Sequence, residues 1–355
     1  MPKVSIVVAV YNVDKYLKQC LDSLVNQTLQ DIEFICVNDG STDNSLEILK
    51  EYAAKDSRFK IITQENQGPG VARNEAIKNA IGEYLMIVDP DDWLELNACE
   101  LAYNQITKNQ NDMVFFGLQR YFEESGKTKI DTKKLKPFAD IINNQKIYLS
   151  KLQNDYLKTS FTITQIYSQK FIIDNDVRYS ETYLCEDTVF IVKAITSANT
   201  VSILNEPIYN YRVRNNSLSS GLKSHWKDLF TNRLIGLDII KNSSNEQAYV
   251  YPYLIYVLNS TSYWYKRISN EYPFLKKNFH NELRKMYLLL YKEYDIQKIA
   301  TYINYKKFKK ICSSSWNKIL FETILQNIFE ITNIGQHKVI TLLGFKIRLK
   351  TNGVN

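Results

Sequence analysis

Between residues 4 and 88, short runs rich in Val and Ile alternate with stretches of helical period, and that order fits a layered α/β fold built on a parallel sheet. Residues 4–10 read as a strand. Residues 14–26 carry Tyr16, Leu17, Cys20, Leu21, Leu24 and Val25 on one helical stripe, and 32–37 form the next strand. The turn Asn38-Asp39-Gly40-Ser41-Thr42-Asp43 opens a second helix, with Ser41 or Asp43 as its N-cap. A third strand (60–63), a third helix (70–80) and a fourth strand (84–88) follow, then a helix over 94–110 and a strand over 112–121. Residues 123–150 form a basic excursion of undefined form, and a further unit begins near Ser160.

From about His225 the pattern becomes helical, over 228–243, 249–268 and 281–296, while 338–350 alternates apolar and basic residues as a strand or hairpin would. The expected organisation is an α/β domain over residues 1–220 and a mainly helical domain over 221–355.

Open α/β sheets collect ligands at the carboxyl ends of their strands, where this chain places Tyr11-Asn12, Asn38-Asp39-Gly40 and Asp89-Pro90-Asp91-Asp92. The three carboxylates of the last turn repel one another unless a cation or a donor-rich ligand sits among them, and hard oxygen ligands select Mg²⁺ or Mn²⁺. A solvated turn is the plainer alternative. Asp39 can accept from the N3–H of a uracil ring and Tyr11 can stack on it, although Asn-Asp-Gly-Ser is also a common turn. Gln67-Gly68-Pro69-Gly70 leads into a helix with Arg73 in its first turn. That arrangement suits phosphate, or equally an ion pair between Arg73 and an aspartate of the acidic turn. Glu186-Asp187, flanked by apolar residues, is either a poised carboxylate pair or an acidic helix start.

Taken in this order, Val4-Ser5-Ile6-Val7-Val8 with Tyr11-Asn12, the Asn38 to Asp43 turn, Ala72-Arg73-Asn74, the Asp-rich turn and Glu186-Asp187 resemble family 2 glycosyltransferases of the GT-A fold. The resemblance covers residues 1–220. It implies a Rossmann-like, mostly parallel central sheet flanked by helices, and a mainly helical C-terminal domain. It implies a UDP-sugar donor held by Ala9, Tyr11, Asn12, Asp39, Gly68, Arg73, Asp89, Asp91 and Arg212, with Mn²⁺ or Mg²⁺ on Asp91 and Asp92. Asp187, beside Glu186, would be the catalytic base of an inverting transfer onto an oligosaccharide or lipid-linked glycan. Within the family, residues 89–100 resemble bacterial lipooligosaccharide β-1,3-galactosyltransferases of the Campylobacter type, which favours galactose or an N-acetylhexosamine as the donor sugar.

The sequence departs from the family pattern in three places. Ala9-Val10 stands where Pro-Thr is common, Asn38 replaces the first Asp of Asp-Asp-Gly, and Thr164-Gln165-Ile166-Tyr167 replaces a Trp-Asn-Lys segment. No Gln-x-x-Arg-Trp signature of processive synthases occurs, which favours addition of single sugars. Tyr209-Asn210-Tyr211-Arg212-Val213-Arg214 reads either as a basic flap closing over the diphosphate or as an exposed edge strand. A glycosyltransferase-like binding protein without turnover and a sugar nucleotidyltransferase remain as alternatives, though the latter would want a Gly-rich loop after the first strand.

Other classes find less support. The first βα turn has no G-x-G-x-x-G, the three histidines lie far apart, and nucleic-acid binding would rest on the net charge of +7 alone. Five scattered cysteines indicate neither zinc nor disulfides, so a reducing cytoplasm is expected. The first apolar run is far shorter than the ~20 residues of a membrane span. Basic-aromatic stretches, notably Tyr305-Lys306-Lys307-Phe308-Lys309-Lys310 and 338–350, would suit peripheral contact with anionic lipid on the inner face of the membrane. A homo-oligomer is compatible with the sequence.

Overall fold

The computed structural model of the chain describes residues 1–131, 147–148, 162–214, 222–244, 246–294, 329–334, 337–342 and 345–350. The expected alternation is present as β1 (Val4–Val10), α1 (Asp14–Val25), β2 (Ile32–Asp39), α2 (Ser45–Lys55), β3 (Phe59–Gln64), α3 (Pro69–Asn79) and β4 (Tyr84–Ile87). Val4, Ile6, Val7, Val8 and Val10 are all fully buried, so β1 is covered on both faces, as a central parallel strand between helical layers must be. The second helix starts at Ser45, later than the turn suggested. Asp43 holds its entry by accepting from the Ser45 and Asp14 amides at 2.9 and 3.0 Å, while Ser41 accepts from the Asn12 amide instead.

Then come β5 (Trp93–Leu94), α4 (Ala98–Asn109), β6 (Met113–Phe122), β7 (Lys127–Ile130), β8 (Ile147–Tyr148), β9 (Gln165–Ser168), α5 (Gln169–Asp174), α6 (Asp187–Ser197) and β10 (Thr200–Val213). The short β5 takes the first residues of what reads as one helix from 94. It pairs with Tyr209 and Asn210 of β10, a partner more than 100 residues away in sequence. The sheet order is β3-β2-β1-β4-β9-β6-β10-β5, with β7 beside β6 and β8 beside β10.

The sheet is mixed. Its first four strands and the β6–β10 pair run parallel, and β9 enters antiparallel to both of its neighbours. β10 pairs with β6 through residues 209–213, while β5 covers its other side only at Tyr209 and Asn210, so the segment is a paired strand, interior at those two residues, and not a free flap. Val10 lies opposite Asn38 and Val7 opposite Ile87, so the polar residues after β1, β2 and β4 emerge along one edge.

The helical region comprises α7 (Leu222–His225), α8 (Asp228–Lys241), α9 (Glu246–Glu271) and α10 (Lys276–Glu293). α9 starts one turn earlier than the sequence suggests, with Pro252 inside it. α8 packs on α6, and Trp226, Phe230 and Phe279 form an aromatic cluster between the helices, continuous with the core of the sheet. β11 (Phe329–Ile334), β12 (His337–Leu342) and β13 (Phe345–Lys350) make a separate antiparallel sheet, so the alternating segment is a hairpin. The basic stretch 305–310 lies outside the described residues. Among them, no helix is long and apolar enough to cross a membrane.

The start of the β1–β4 ladder depends on the size of one residue. Gly82 donates to Ser5 Oγ at 2.8 Å, and a Cβ there would lie 2.6 Å from that oxygen and 2.7 Å from the Ser5 amide nitrogen. Gly82→Ala should therefore lower stability by about 1–3 kcal/mol in chemical denaturation. An unchanged midpoint would mean that the ladder yields at this point.

Candidate active site

At the exposed strand edge, Tyr11 follows β1 with 49% of its surface exposed, an aromatic ring left open for stacking. Asn12 turns the chain with φ 48°, a left-handed conformation that Asn tolerates, and its side chain accepts from the Thr42 amide at 2.7 Å. Asp39 is 2% exposed and accepts from the Gln67 and Gly68 amides, both at 2.9 Å, and from Gln64 Nε2 at 2.8 Å. A carboxylate offers about four lone-pair sites, so these bonds fix the 64–68 loop and still leave one acceptor site. Gly68 has φ 94°, and a Cβ on it would come within 3.0 Å of the Tyr183 ring. Ala9, at the end of β1, is partly buried beneath this edge.

The acidic turn divides its three carboxylates among three different partners. Asp92 is 1% exposed; Tyr209 Oη donates to one of its oxygens at 2.8 Å and the Arg212 amide to the other at 2.7 Å. Tyr209 Oη also accepts from the Asp89 amide at 3.1 Å, so one hydroxyl sets the path of the whole turn. Asp91 pairs with Arg214 at 2.7 Å, and Asp89 with Arg73 at 2.9 Å. Burial raises both Asp91 and Asp92, with repulsion from Asp89 adding to Asp91 and repulsion from Asp91 and Asp89 adding to Asp92. Arg212 is buried among Tyr16, Trp93 and Tyr121, and its Nε donates to the Asp91 carbonyl at 2.8 Å. Arg212, expected over the diphosphate, braces the turn, and Arg214, the other arginine of the same segment, pairs with the Asp91 carboxylate.

Arg73 makes the expected ion pair with an aspartate of the acidic turn, and the pair has a second arm. One guanidinium nitrogen meets Asp89 and the other meets Glu186, across 113 residues of sequence. Burial works against the Arg73 charge, and Asp89 and Glu186 more than offset it. Gly70 permits this closure, since a Cβ there would lie 2.0 Å from the Ser180 carbonyl and 3.2 Å from Glu186 Cβ. Glu186 is thereby committed to Arg73. Asp187, half-buried at the first position of α6, is pushed up to about 7 by burial and then by Glu186, with Arg73 opposing. A carboxylate with that value can take a proton near neutral pH.

The donor set bears on the expected cation. Among the described residues no group of three or more His, Cys, Asp or Glu side chains forms a metal cage. Asp92, expected as a ligand, has both oxygens in protein hydrogen bonds, and Asp89 is held by Arg73. Asp91 is the carboxylate at the edge that suits Mg²⁺ or Mn²⁺, which need only one or two carboxylates when substrate phosphates supply other ligands. Tyr209, Gln64, Gln67 and the Arg73–Glu186 arm carry no local signal in the sequence, because each acts on a residue brought near only by strand pairing or loop closure.

With this geometry established, comparison with known proteins identifies the class. Residues 5–171 match the family described as Glycosyl transferase family 2. The chain is 37% identical over 236 residues to the putative glycosyltransferase EpsH of Bacillus subtilis, a match covering 66% of each protein, just under two thirds of that relative's length. It is 31% identical over 218 residues to the glycosyltransferase GlyG of Streptococcus pneumoniae, covering 61% of this chain and 72% of that one. The chain belongs to glycosyltransferase family 2. Its fold is similar to that of S. aureus TarS 1-349 in a crystal structure with UDP-GlcNAc, at a TM-score of 0.70 and 22% identity over 99% of this chain and 100% of that one.

The Tyr209 hydroxyl is the site's most exposed dependency on a single atom. Tyr209→Phe should lower stability by about 1–3 kcal/mol, because it leaves a buried Asp92 oxygen and the Asp89 amide without their partner. Denaturant unfolding measures this, and a loss below about 0.5 kcal/mol would show that the turn keeps its shape without the bridge.

Proposed function

We propose that the chain transfers single sugars from a UDP-sugar to a hydroxyl of a cell-surface glycan acceptor, with inversion, and with Asp187 as general base. The observation that carries this reading is the separation of roles at Arg73: the guanidinium pairs with Glu186, whereas Asp187 beside it has no ion-pair partner among the described residues, and burial, then Glu186, pushes it up to about 7. That is the protonation range a base for a sugar hydroxyl requires.

The donor end follows from the strand edge. The remaining acceptor site of Asp39 suits the N3–H of uracil, and the open ring of Tyr11 suits stacking on the base. Complexes of TarS with UDP and UDP-GlcNAc support a uridine diphosphate donor, and its name, poly(ribitol-phosphate) beta-N-acetylglucosaminyltransferase, supports an N-acetylhexosamine and a polymeric acceptor. Galactose rests on the resemblance of residues 89–100 alone. A divalent cation bound at Asp91 would neutralise charge on the departing diphosphate.

The acceptor oxygen attacks the anomeric carbon from the face opposite the nucleotide, the bond from that carbon to the phosphate oxygen breaks with its electron pair going to the diphosphate, and the hydroxyl proton passes to Asp187. No second, acidic carboxylate is needed, because the leaving diphosphate requires no protonation by the protein. In this reading the site faces the cytoplasm, the 1–220 part holds the donor, and the helical part from 221 meets the acceptor or the inner membrane surface.

Asp187→Asn should abolish transfer, measured as release of UDP from UDP-sugars in the presence of acceptor, while UDP binding by calorimetry stays within about twofold of wild type. Turnover near the wild-type rate would remove Asp187 as the base. Because the base must be ionised, the wild-type rate should fall as pH drops below about 7. A rate flat from pH 5.5 to 8 contradicts the assignment.

The cation reading has a separate test in binding. Asp91→Ala should make UDP affinity the same with Mn²⁺ as with EDTA, where the wild type binds roughly tenfold tighter with the metal. An undiminished Mn²⁺ effect in the variant would exclude Asp91 as the ligand.

A further inference from the structure

α8 meets the loop that delivers Asp187 with two wholly buried polar side chains, and neither takes part in the machinery described above. Asn232 is 0% and Arg233 1% exposed. Asn232 Nδ2 donates to Thr182 Oγ1 at 2.7 Å and to the Leu184 carbonyl at 2.8 Å, and Asp228, one turn earlier, accepts from the Tyr183 amide at 3.0 Å. One helix thus fixes three successive residues of the loop. The next, Cys185, has φ 58°, a left-handed conformation that a side-chain-bearing residue holds only where its surroundings over-determine it. That turn directs Glu186 to Arg73 and sets Asp187 at the start of α6.

Arg233 stands out because its partners are neutral. Its Nε donates to Ser260 Oγ at 3.0 Å and its Nη1 to the Leu229 carbonyl at 2.6 Å; its guanidinium lies 5.8 Å from the centre of the Tyr256 ring, and the Cys185 thiol is a further partner. A guanidinium buried among neutral groups is costly unless its field acts on a charge nearby. Its place is also tightly set. Tyr253 Oη donates to the Arg233 carbonyl at 3.0 Å, in a space that only Gly236 leaves open. Tyr256 in turn meets Thr188, the residue after Asp187, at 3.4 Å.

We propose that α8 completes the site of the base: Asn232 is a positioning residue that holds the backbone before it, and Arg233 is a positioning residue whose buried positive charge favours the carboxylate of Asp187 over the acid. The proposal rests on the glycosyl-transfer reading above. It gives the helical region, which lies outside the family match over 5–171, a direct part in proton transfer.

The charged and titratable groups around Asp187 are Glu186 before it, Asp89 after β4, Arg73 on α3, Arg233 on α8, Cys185, Tyr167 on β9 and Tyr256 on α9. Burial raises Asp187 most, Glu186 and Asp89 add to it, and Arg73 and, less strongly, Arg233 lower it. Arg73 already faces two carboxylates, so removing Arg233 deletes a lowering influence that has no other acid as a direct partner. The base then ionises at higher pH.

The test is the pH profile of UDP release with saturating UDP-sugar and acceptor, on the full chain. Arg233→Met should move the acid limb up by about one pH unit, a roughly tenfold loss of rate below the limb, with KM for the donor unchanged. Arg233→Lys, which keeps the charge, should keep the limb near its wild-type position. If Arg233→Met does not fold, Arg233→Gln, which keeps a donor for the Leu229 carbonyl, decides on the same readout. A folded, neutral variant with an unmoved limb, or Arg233→Lys shifting as far as Arg233→Met, overturns the proposal. Wild-type protein that releases no UDP from any UDP-sugar sinks the underlying function instead, so the two failures are distinguishable.

Discussion

The site depends on the bridge that Arg73 makes between Asp89 and Glu186. It joins the carboxyl end of β4, at the edge proposed to hold the donor, to the start of α6, where the proposed base Asp187 lies, and these points are 97 residues apart in sequence. Breaking a buried pair of this kind typically costs about 3–5 kcal/mol, because a charge is left without its partner. Here two carboxylates share the one guanidinium, so its loss would expose two buried negative charges to each other and to Asp187. The same closeness explains why Gly70 is required: a Cβ would hold the 180–186 loop away from α3 and separate Arg73 from Glu186.

From that bridge follows a division of labour among acids that composition alone does not reveal. Asp92 is structural, held by Tyr209 and the Arg212 amide; Asp89 and Glu186 belong to Arg73; Asp91 is matched by Arg214. Asp187 is the one of these acids with no ion pair among the described residues, and burial, then Glu186, pushes it up to about 7. An acid at the first position of a helix would ordinarily be favoured as the anion by the helix dipole. Burial beside Glu186 outweighs that preference, and the two arginines limit the rise to a useful range.

Much of this is legible in the amino-acid sequence itself. The strands and helices from Val4 to Ile87 declare themselves through Val and Ile runs and helical stripes, since both faces of a parallel sheet must be covered, and the three polar turns mark the carboxyl edge. What the sequence conceals is non-local. β5 hides inside a helical pattern because two residues cannot display a period, and it exists only by pairing with Tyr209 and Asn210. Residues 209–213 read as a flap or an edge, since nothing local shows that β6 will pair along them and that β5 will cover Tyr209 and Asn210. Three aspartates in one turn announce a charge problem, yet not that Tyr209, Arg214 and Arg73 each resolve a different part of it.

The helical region carries the same lesson one step further. Its apolar residues account for a packed bundle, and Asn232-Arg233 look like two polar residues on a helix face. Packing against α6 turns that face inward, where a polar side chain must find partners or lose stability. Asn232 Nδ2 finds them in Thr182 Oγ1 and the Leu184 carbonyl, and Arg233 finds neutral acceptors, with the proposed base Asp187 within reach of its field. A buried cation so placed cannot be neutral toward the base. Its charge stabilises the ionised carboxylate over the protonated acid. The arrangement therefore keeps Asp187 in the ionised form from which a base must start, which agrees with the proposed reaction, whose leaving group needs no proton and whose nucleophile must lose one.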